Sequence, residues 1–271
     1  MLAWSLLDSS SHSFFFTVLT LPIPMHISAL LPFALAAVVA AHPFLKELKA
    51  QVITKCSLPN TAALTFDDGP YIYMRNVSDA LTKEGVKGTF FLNGNNYRCI
   101  YGEEPAKDIK YVYDQGHQIA SHTWAHAHLN NLTRERLNEE FQRVELAFQR
   151  ITGATPAFMR PPYGEYNNTV LEVAGERGQN VVTWDFDSRD SVGATAEESN
   201  RLYDELAKAH PATVLALNHD VYKDTAHTVV PYAIAVLKKA GYKLVTVAEC
   251  VGQKPYQKVD KPSPRDKSWA C

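Results

Sequence analysis

Five short clusters in this chain combine residue types that can move protons or bind a cation. TFDDGP, residues 65–70, places two adjacent carboxylates, Asp67 and Asp68, ahead of a Gly-Pro pair. Successive strand side chains point to opposite faces, so a turn must rotate one acid if both are to serve one site. Asp, Gly and Pro also favour turns for backbone reasons alone. SHTWAHAHL, residues 121–129, carries His122 and His126 four residues apart, with His128 close by. On a helical turn that spacing brings both imidazoles to one side, where they can share a metal. Two neutral imidazoles and a carboxylate, with one position left to water, make the open arrangement of a catalytic divalent-metal site. RPPYG, residues 160–164, sets Arg160 ahead of two prolines that stiffen the loop, and its planar fork can hold a carboxylate. WDFDSRDS, residues 184–191, offers Asp185, Asp187 and Asp190, and LALNHD, residues 215–220, offers His219. Taken singly, each of these last three is more readily structural than catalytic.

The elements that must position these groups follow from hydrophobic patterning. Short apolar runs at 62–66, 88–92, 118–120, 157–159, 180–184, 213–217 and 243–247 alternate with helical stretches, the pattern of βα units around a parallel sheet. The clearest helix spans 134–152. Thr133 is its N-cap, Leu132 and Leu137 form a hydrophobic staple, and Gly153 is the stop. Leu137, Phe141, Val144, Phe148 and Ile151 fall on one face at helical spacing. A second helix starts at Thr195 with Glu198 completing a capping box, and a third runs from about 227 to 240, ending at Gly241. Seven strands with intervening helices predict a single α/β domain, a distorted (β/α)7 barrel. All five chemical clusters follow predicted strands, at the rim where such barrels carry their active sites.

Composition narrows the partners. The chain has 271 residues, 27 basic and 29 acidic, for a net charge of -2, which is not the footprint of a nucleic-acid binder. In residues 1–41 the only acidic or basic side chain is Asp8. Two apolar stretches, 14–23 and 27–41, are interrupted or bounded by Pro22, Pro24 and Pro32, and neither reaches the ~20 residues of a membrane span. The second ends Val39-Ala40-Ala41, the shape of a secretory h-region and cleavage site. Met25 can begin a compact signal peptide by itself, with 1–24 an upstream extension, a mature start near His42 and a single domain over 42–271. Four cysteines, Cys56, Cys99, Cys250 and Cys271, fit an oxidising compartment and allow three pairings. Sequons at Asn76, Asn131 and Asn167 agree with secretion to the extracellular space or cell wall. No feature calls for a partner subunit, and a monomer is expected.

TFDDGP, H-T-x-x-H and RPPYG in this order resemble the NodB-homology polysaccharide deacetylases, carbohydrate esterase family 4, over roughly residues 61–251. The leader and the ending around Cys250 look most like the fungal chitin deacetylase branch. The resemblance implies that Asp68, His122 and His126 bind a divalent metal, Zn²⁺ or else Co²⁺ or another first-row ion. It implies Asp67 as general base held by Arg160, and His219 as general acid. The backbone N–H of Tyr163 would face the oxyanion, and Leu217 would line the acetyl pocket. Asp190, with Asp187 as the alternative, would partner His219. The family commonly has an aromatic residue where this chain has Ser191. Trp124, Tyr71, Tyr73 and Tyr222 lie near motif loops and could stack on sugar rings. The resemblance also suggests a Cys56–Cys250 disulfide, which leaves Cys99 with Cys271.

The implied activity is hydrolysis of N-acetyl groups from a polysaccharide, chitin above others. The same machinery also suits O-acetyl esters of xylan, or peptidoglycan sugars. A glycosidase built on Asp67 and Asp68 is disfavoured, because such carboxylates flank a glycosidic bond at ~5–9 Å. A non-catalytic carbohydrate-binding protein is disfavoured because every motif residue with a chemical role is present.

Overall fold

A computed structural model of the protein describes residues 49–271; the signal-peptide and mature-start readings at 1–42 lie outside the described residues. Along the chain run β1 (Val52–Ile53), β2 (Thr61–Asp67), α1 (Met74–Lys83), β3 (Thr89–Leu92), α2 (Glu103–Asp114), β4 (Gln118–Ser121) and α3 (Arg134–Thr152). Then come β5 (Ala154–Pro156), β6 (Phe158–Met159), α4 (Asn168–Glu176), β7 (Asn180–Val182), β8 (Phe186–Asp187) and α5 (Ala196–Ala209). The chain ends with β9 (Thr213–His219), α6 (Val230–Lys239), β10 (Lys243–Leu244), α7 (Val247–Cys250) and β11 (Tyr256–Val259). All seven predicted strand runs are present as β2, β3, β4, β6, β7, β9 and β10.

Nine strands form one parallel sheet in the order β1-β7-β6-β4-β3-β2-β9-β8, with β10 paired to the start of β2. The sheet curls into a half-barrel with helices outside it. Its distortion has a local cause in the fifth predicted strand, which divides. As β7 it pairs with β6, and after three residues the chain joins β9 as β8. Asp185 makes this change of partner, because its carboxylate accepts the Leu215 N–H at 2.6 Å in place of a ladder carbonyl.

Strand periodicity divides the core into two layers. Ala62, Leu64 and Phe66 of β2 face outward onto Val77 and Leu81 of α1 and Ile234 of α6. Ala63 of β2 faces inward with Phe91, Ala120, Phe158, Val182 and Leu215. Continuing that inward row by two-residue steps reaches Thr65 and Asp67 on β2, His122 beyond β4, Arg160 beyond β6, and Leu217 and His219 on β9. The alternation that fills the barrel therefore also lines its rim.

The helix ends form as their sequences dictate. The Thr133 hydroxyl accepts the Arg136 N–H at 3.4 Å, and the chain leaves α3 through Gly153 at φ 82°. Thr195 and Glu198 complete the capping box of α5. The third predicted helix begins as a π-helical turn, Thr225–Val229, before α6. Disulfides join Cys56 to Cys250 and Cys99 to Cys271. Among the described residues no helix is long and apolar enough to cross a membrane.

On the outer side of the sheet, His117 gives the fold a pH dependence. It is 2% exposed, and its Nδ1 accepts the Gly88 N–H at 3.3 Å, which requires a neutral ring. Burial, aided by Lys87, pushes its pKa from 6.5 down to about 4. Between those values the unfolded chain binds a proton that the folded chain refuses, so stability falls with pH through that window. Linkage puts the loss at roughly 3 kcal/mol from pH 6.5 to 4. Urea unfolding of wild type and His117→Gln across this range should show a shallower slope in the variant, and equal slopes would remove His117 as the cause.

Candidate active site

All five clusters gather on the rim at the C-terminal ends of the strands. β2 and β9 pair so that Asp67 lies beside His219 in register. Asp68 follows at φ 75°, a left-handed conformation that Asp tolerates better than most residues. That turn brings its carboxylate to the same side as Asp67, the rotation two neighbouring acids need. Gly69 comes next because a Cβ there would sit 2.9 Å from both an Asp220 carboxylate oxygen and a Leu92 methyl.

Asp68, His122 and His126 form a group whose ligand atoms all lie within 4.8 Å of one another. The His126 Nε2 is 3.2 Å and the His122 Nε2 3.5 Å from Asp68 Oδ1. Burial lowers both imidazole pKa values, which favours neutral rings with free lone pairs. His122 is oriented from behind, since its Nδ1–H donates to the Arg160 carbonyl at 2.8 Å and so aims Nε2 into the group. Asp68 Oδ1 is buried and receives no hydrogen bond. Three acceptors converging without a donor among them suit a cation, and one Asp with two His is a ligand set for a catalytic divalent metal.

The two histidines reach this arrangement differently from the helical turn expected of their spacing. Thr123 at φ 69° and His126 at φ 54° break any helix, and the segment is a loop. Its shape is held from outside. Asn93 donates through Nδ2 to the carbonyls of His122 and of Thr123, the latter at 3.1 Å, and Glu140 accepts the Ala125 N–H at 2.8 Å. Asn93 was absent from the sequence clusters. Its signal is positional, because it is the first polar residue after the strand run 88–92.

Asp67 is 3% exposed and receives Arg160 Nη1 on Oδ1 at 2.8 Å. Arg160 is wholly buried and uses its whole fork. Nη1 also donates to Thr65 Oγ1 at 2.6 Å and Nη2 to the Thr183 carbonyl at 2.8 Å, while the guanidinium lies 4.2 Å over the Phe91 ring. The Thr65 hydroxyl in turn donates to the Ala216 carbonyl at 2.6 Å. With Oδ1 tied to Arg160, Asp67 has Oδ2 left, 3.8 Å from His122 Nε2.

On the facing strand, the His219 Nδ1–H donates to Asp190 Oδ1 at 2.8 Å, and its backbone N–H donates to Oδ2 at 2.7 Å. Burial pulls the His219 pKa down, but Asp190, aided by Asp67 and Asp68, raises it to about 9. Of the two candidate partners Asp190 holds the histidine, because the Asp187 carboxylate accepts the Arg189 N–H at 2.7 Å within its own turn.

Between these groups lies a pocket of about 400 Å³ whose walls include Leu217, Tyr163, Trp184, Ser191 and Val192. Larger hollows, of about 720 Å³ beside α2, α3 and the C-terminal segment and about 530 Å³ beneath the sheet, are remote from these clusters. Tyr163, at φ 60°, is 54% exposed, and its ring stacks on His128 at 4.0 Å. His128, whose Nδ1 is also 3.2 Å from Glu165, thus stands outside the metal group. Trp124 needs correction as a sugar-stacking residue. It is 4% exposed, with its ring filling the space where Gly94 would carry a Cβ and Arg143 covering it at 3.8 Å. Aromatic surface is offered instead by Tyr71 and Tyr97, with ring centroids 5.3 Å apart, and by Tyr222, edge-on to His219 at 5.9 Å.

The polysaccharide deacetylase sequence profile matches residues 54–182. A chitin deacetylase of Pestalotiopsis sp is 39% identical over 208 residues, which span 74% of this chain and 67% of that one. The chitin deacetylase of Colletotrichum lindemuthianum is 32% identical over 242 residues, 85% of this chain and 98% of the relative. The solved structure of the chitin deacetylase from that fungal pathogen superposes with a TM-score of 0.74 at 30% identity, covering 78% of this chain and 96% of that one. Relatedness across nearly the whole of such a protein, with the same curled sheet, shows that this chain belongs to the polysaccharide deacetylases of carbohydrate esterase family 4.

Proposed function

We propose that this chain is a secreted, metal-dependent hydrolase that removes N-acetyl groups from N-acetylglucosamine residues of chitin or a closely related polysaccharide, giving chitosan and acetate. The observation that carries this reading is the donor-free convergence of Asp68, His122 and His126 between Asp67 and His219. The names and extents of the relatives support chitin as substrate.

Asp68, His122 and His126 would hold the metal, with Zn²⁺ the ion we favour over Co²⁺ and other first-row ions for this nitrogen and oxygen set. A divalent cation there supplies Lewis acidity, polarising the acetamide carbonyl and acidifying water. Asp67, fixed through Oδ1 by Arg160, accepts a proton from the attacking water on Oδ2. The water oxygen bonds to the carbonyl carbon, and the Tyr163 backbone N–H faces the oxyanion that forms. The carbon–nitrogen bond then breaks as His219, charged through its bond to Asp190, delivers a proton to the departing amine. Leu217 lines the pocket for the acetyl methyl. Two disulfides suit an oxidising, extracellular compartment. We place an N-terminal extension and the secretory signal peptide at 1–41 and the catalytic domain at 42–271. One chain supplies every group, and we take the enzyme to act as a monomer.

Acetate release measured in parallel on N-acetylglucosamine oligomers and on acetylated xylan tests the substrate. Faster release from the oligomers is expected, and release from xylan alone would reassign the chain as an O-acetyl esterase.

A further inference from the structure

The His219–Asp190 pair has a third member that the steps above do not use. Thr225 opens the π-helical turn Thr225–Val229, is 1% exposed, and donates through Oγ1 to Asp190 Oδ2 at 2.9 Å. The same oxygen accepts the His219 backbone N–H at 2.7 Å, while Oδ1 takes the imidazole Nδ1–H at 2.8 Å. Asp190 itself stands between β8 and α5 on a connection that is open to solvent, with Arg189 at φ 63° and Val192 64% exposed. Both other bonds to Asp190 come from His219, so Thr225 is the donor that fixes the carboxylate independently of the imidazole it orients. Behind the pair lies a hollow of about 240 Å³ touched by Asp190, Ser199, Tyr222 and Thr225. A hydroxyl on Oδ2 keeps that lone pair from water entering there. π-helical turns are rare and concentrate at functional sites, and this one places a buried hydroxyl on a charged partner.

We propose that Thr225 is a positioning residue for proton delivery: its hydroxyl locks the Asp190 carboxylate so that His219 keeps its Nδ1 proton and presents Nε2 to the departing amine. This rests on His219 being the general acid. Two substitutions separate the hydroxyl from the bulk around it. Thr225→Val keeps the shape and removes the donor, while Thr225→Ser keeps the donor and removes a methyl. In the metal-loaded enzyme Thr225→Val should lower kcat about tenfold, the worth of one hydrogen bond to a charged group. KM and metal content should stay at wild-type levels, and Thr225→Ser should retain wild-type kcat. Wild-type kcat in Thr225→Val overturns the proposal, as does a Thr225→Ser enzyme that falls as far as Thr225→Val. The downfield proton NMR resonance of His219 Nδ1–H in the metal-free protein needs no turnover. It should survive in Thr225→Ser and shift or broaden away in Thr225→Val, and an unchanged signal in Thr225→Val overturns the proposal as well. A wild-type chain that releases no acetate would count against the deacetylase reading, while the NMR comparison would still decide the role of Thr225.

Discussion

Asp67→Asn should lower acetate release by about a thousandfold while leaving the metal content unchanged. The side chains are isosteric, and Arg160 Nη1, now 2.8 Å from Oδ1, can donate to an amide oxygen as it does to a carboxylate oxygen. The atom facing the pocket becomes an NH₂ group, which cannot take a proton from water. A second effect follows from burial. Arg160 is 0% exposed and loses its counter-charge, and removing one partner of a buried pair costs roughly 3 kcal/mol. The remaining bonds to Thr65 and the Thr183 carbonyl keep the guanidinium in place. The variant should therefore bind metal, melt at a lower temperature and be nearly inert. Thermal unfolding, elemental analysis and an acetate assay on one preparation check all three, and activity within tenfold of wild type would remove Asp67 as the base.

Asp68→Asn should also abolish turnover, but through a different measurable cause. In the metal-free protein Asp68 Oδ1 is buried without a donor, and desolvation raises the carboxyl pKa. Keeping the charge there costs stability until a cation arrives, so the metal-free variant should melt no lower than metal-free wild type. The difference appears on loading. Wild type should gain about 2.7 kcal/mol of stability at a Zn²⁺ concentration a hundred times its Kd, and the variant should gain little. A loss of stability in Asp67→Asn and none in metal-free Asp68→Asn distinguish a base held by Arg160 from a ligand waiting for a cation. Equal stabilisation of wild type and Asp68→Asn by Zn²⁺ would place the ion elsewhere.

The parts of this site that are legible in the sequence are those governed by period and chain order. Asp67, Arg160 and His219 end inward-facing rows of strands whose apolar runs are unmistakable, so their convergence on one rim follows from alternation alone. The capping residues of α3 and α5 are equally local and appear where their types predict. The histidine loop is different. Spacing of four fits a helix turn, but the path from His122 to His126 is set by Asn93 and Glu140, which are distant in sequence. Trp124 shows the same limit, because whether an aromatic near a motif faces sugar or core depends on a glycine thirty residues away, Gly94. Asp187 and Asp190 are chemically alike, and only the turn at Arg189 decides which one His219 meets. The change of partner between β7 and β8 runs through Asp185, whose carboxylate accepts an amide of β9, a contact that no local pattern announces.

The most direct test is acetate release from N-acetylglucosamine oligomers by the purified chain, stripped with a chelator and then reloaded in turn with Zn²⁺ and Co²⁺. Release should vanish on stripping, return on reloading, and stay absent in Asp67→Asn at equal metal content. Release that survives stripping, or its failure to return with either ion, would contradict a metal-dependent deacetylase built on Asp68, His122 and His126.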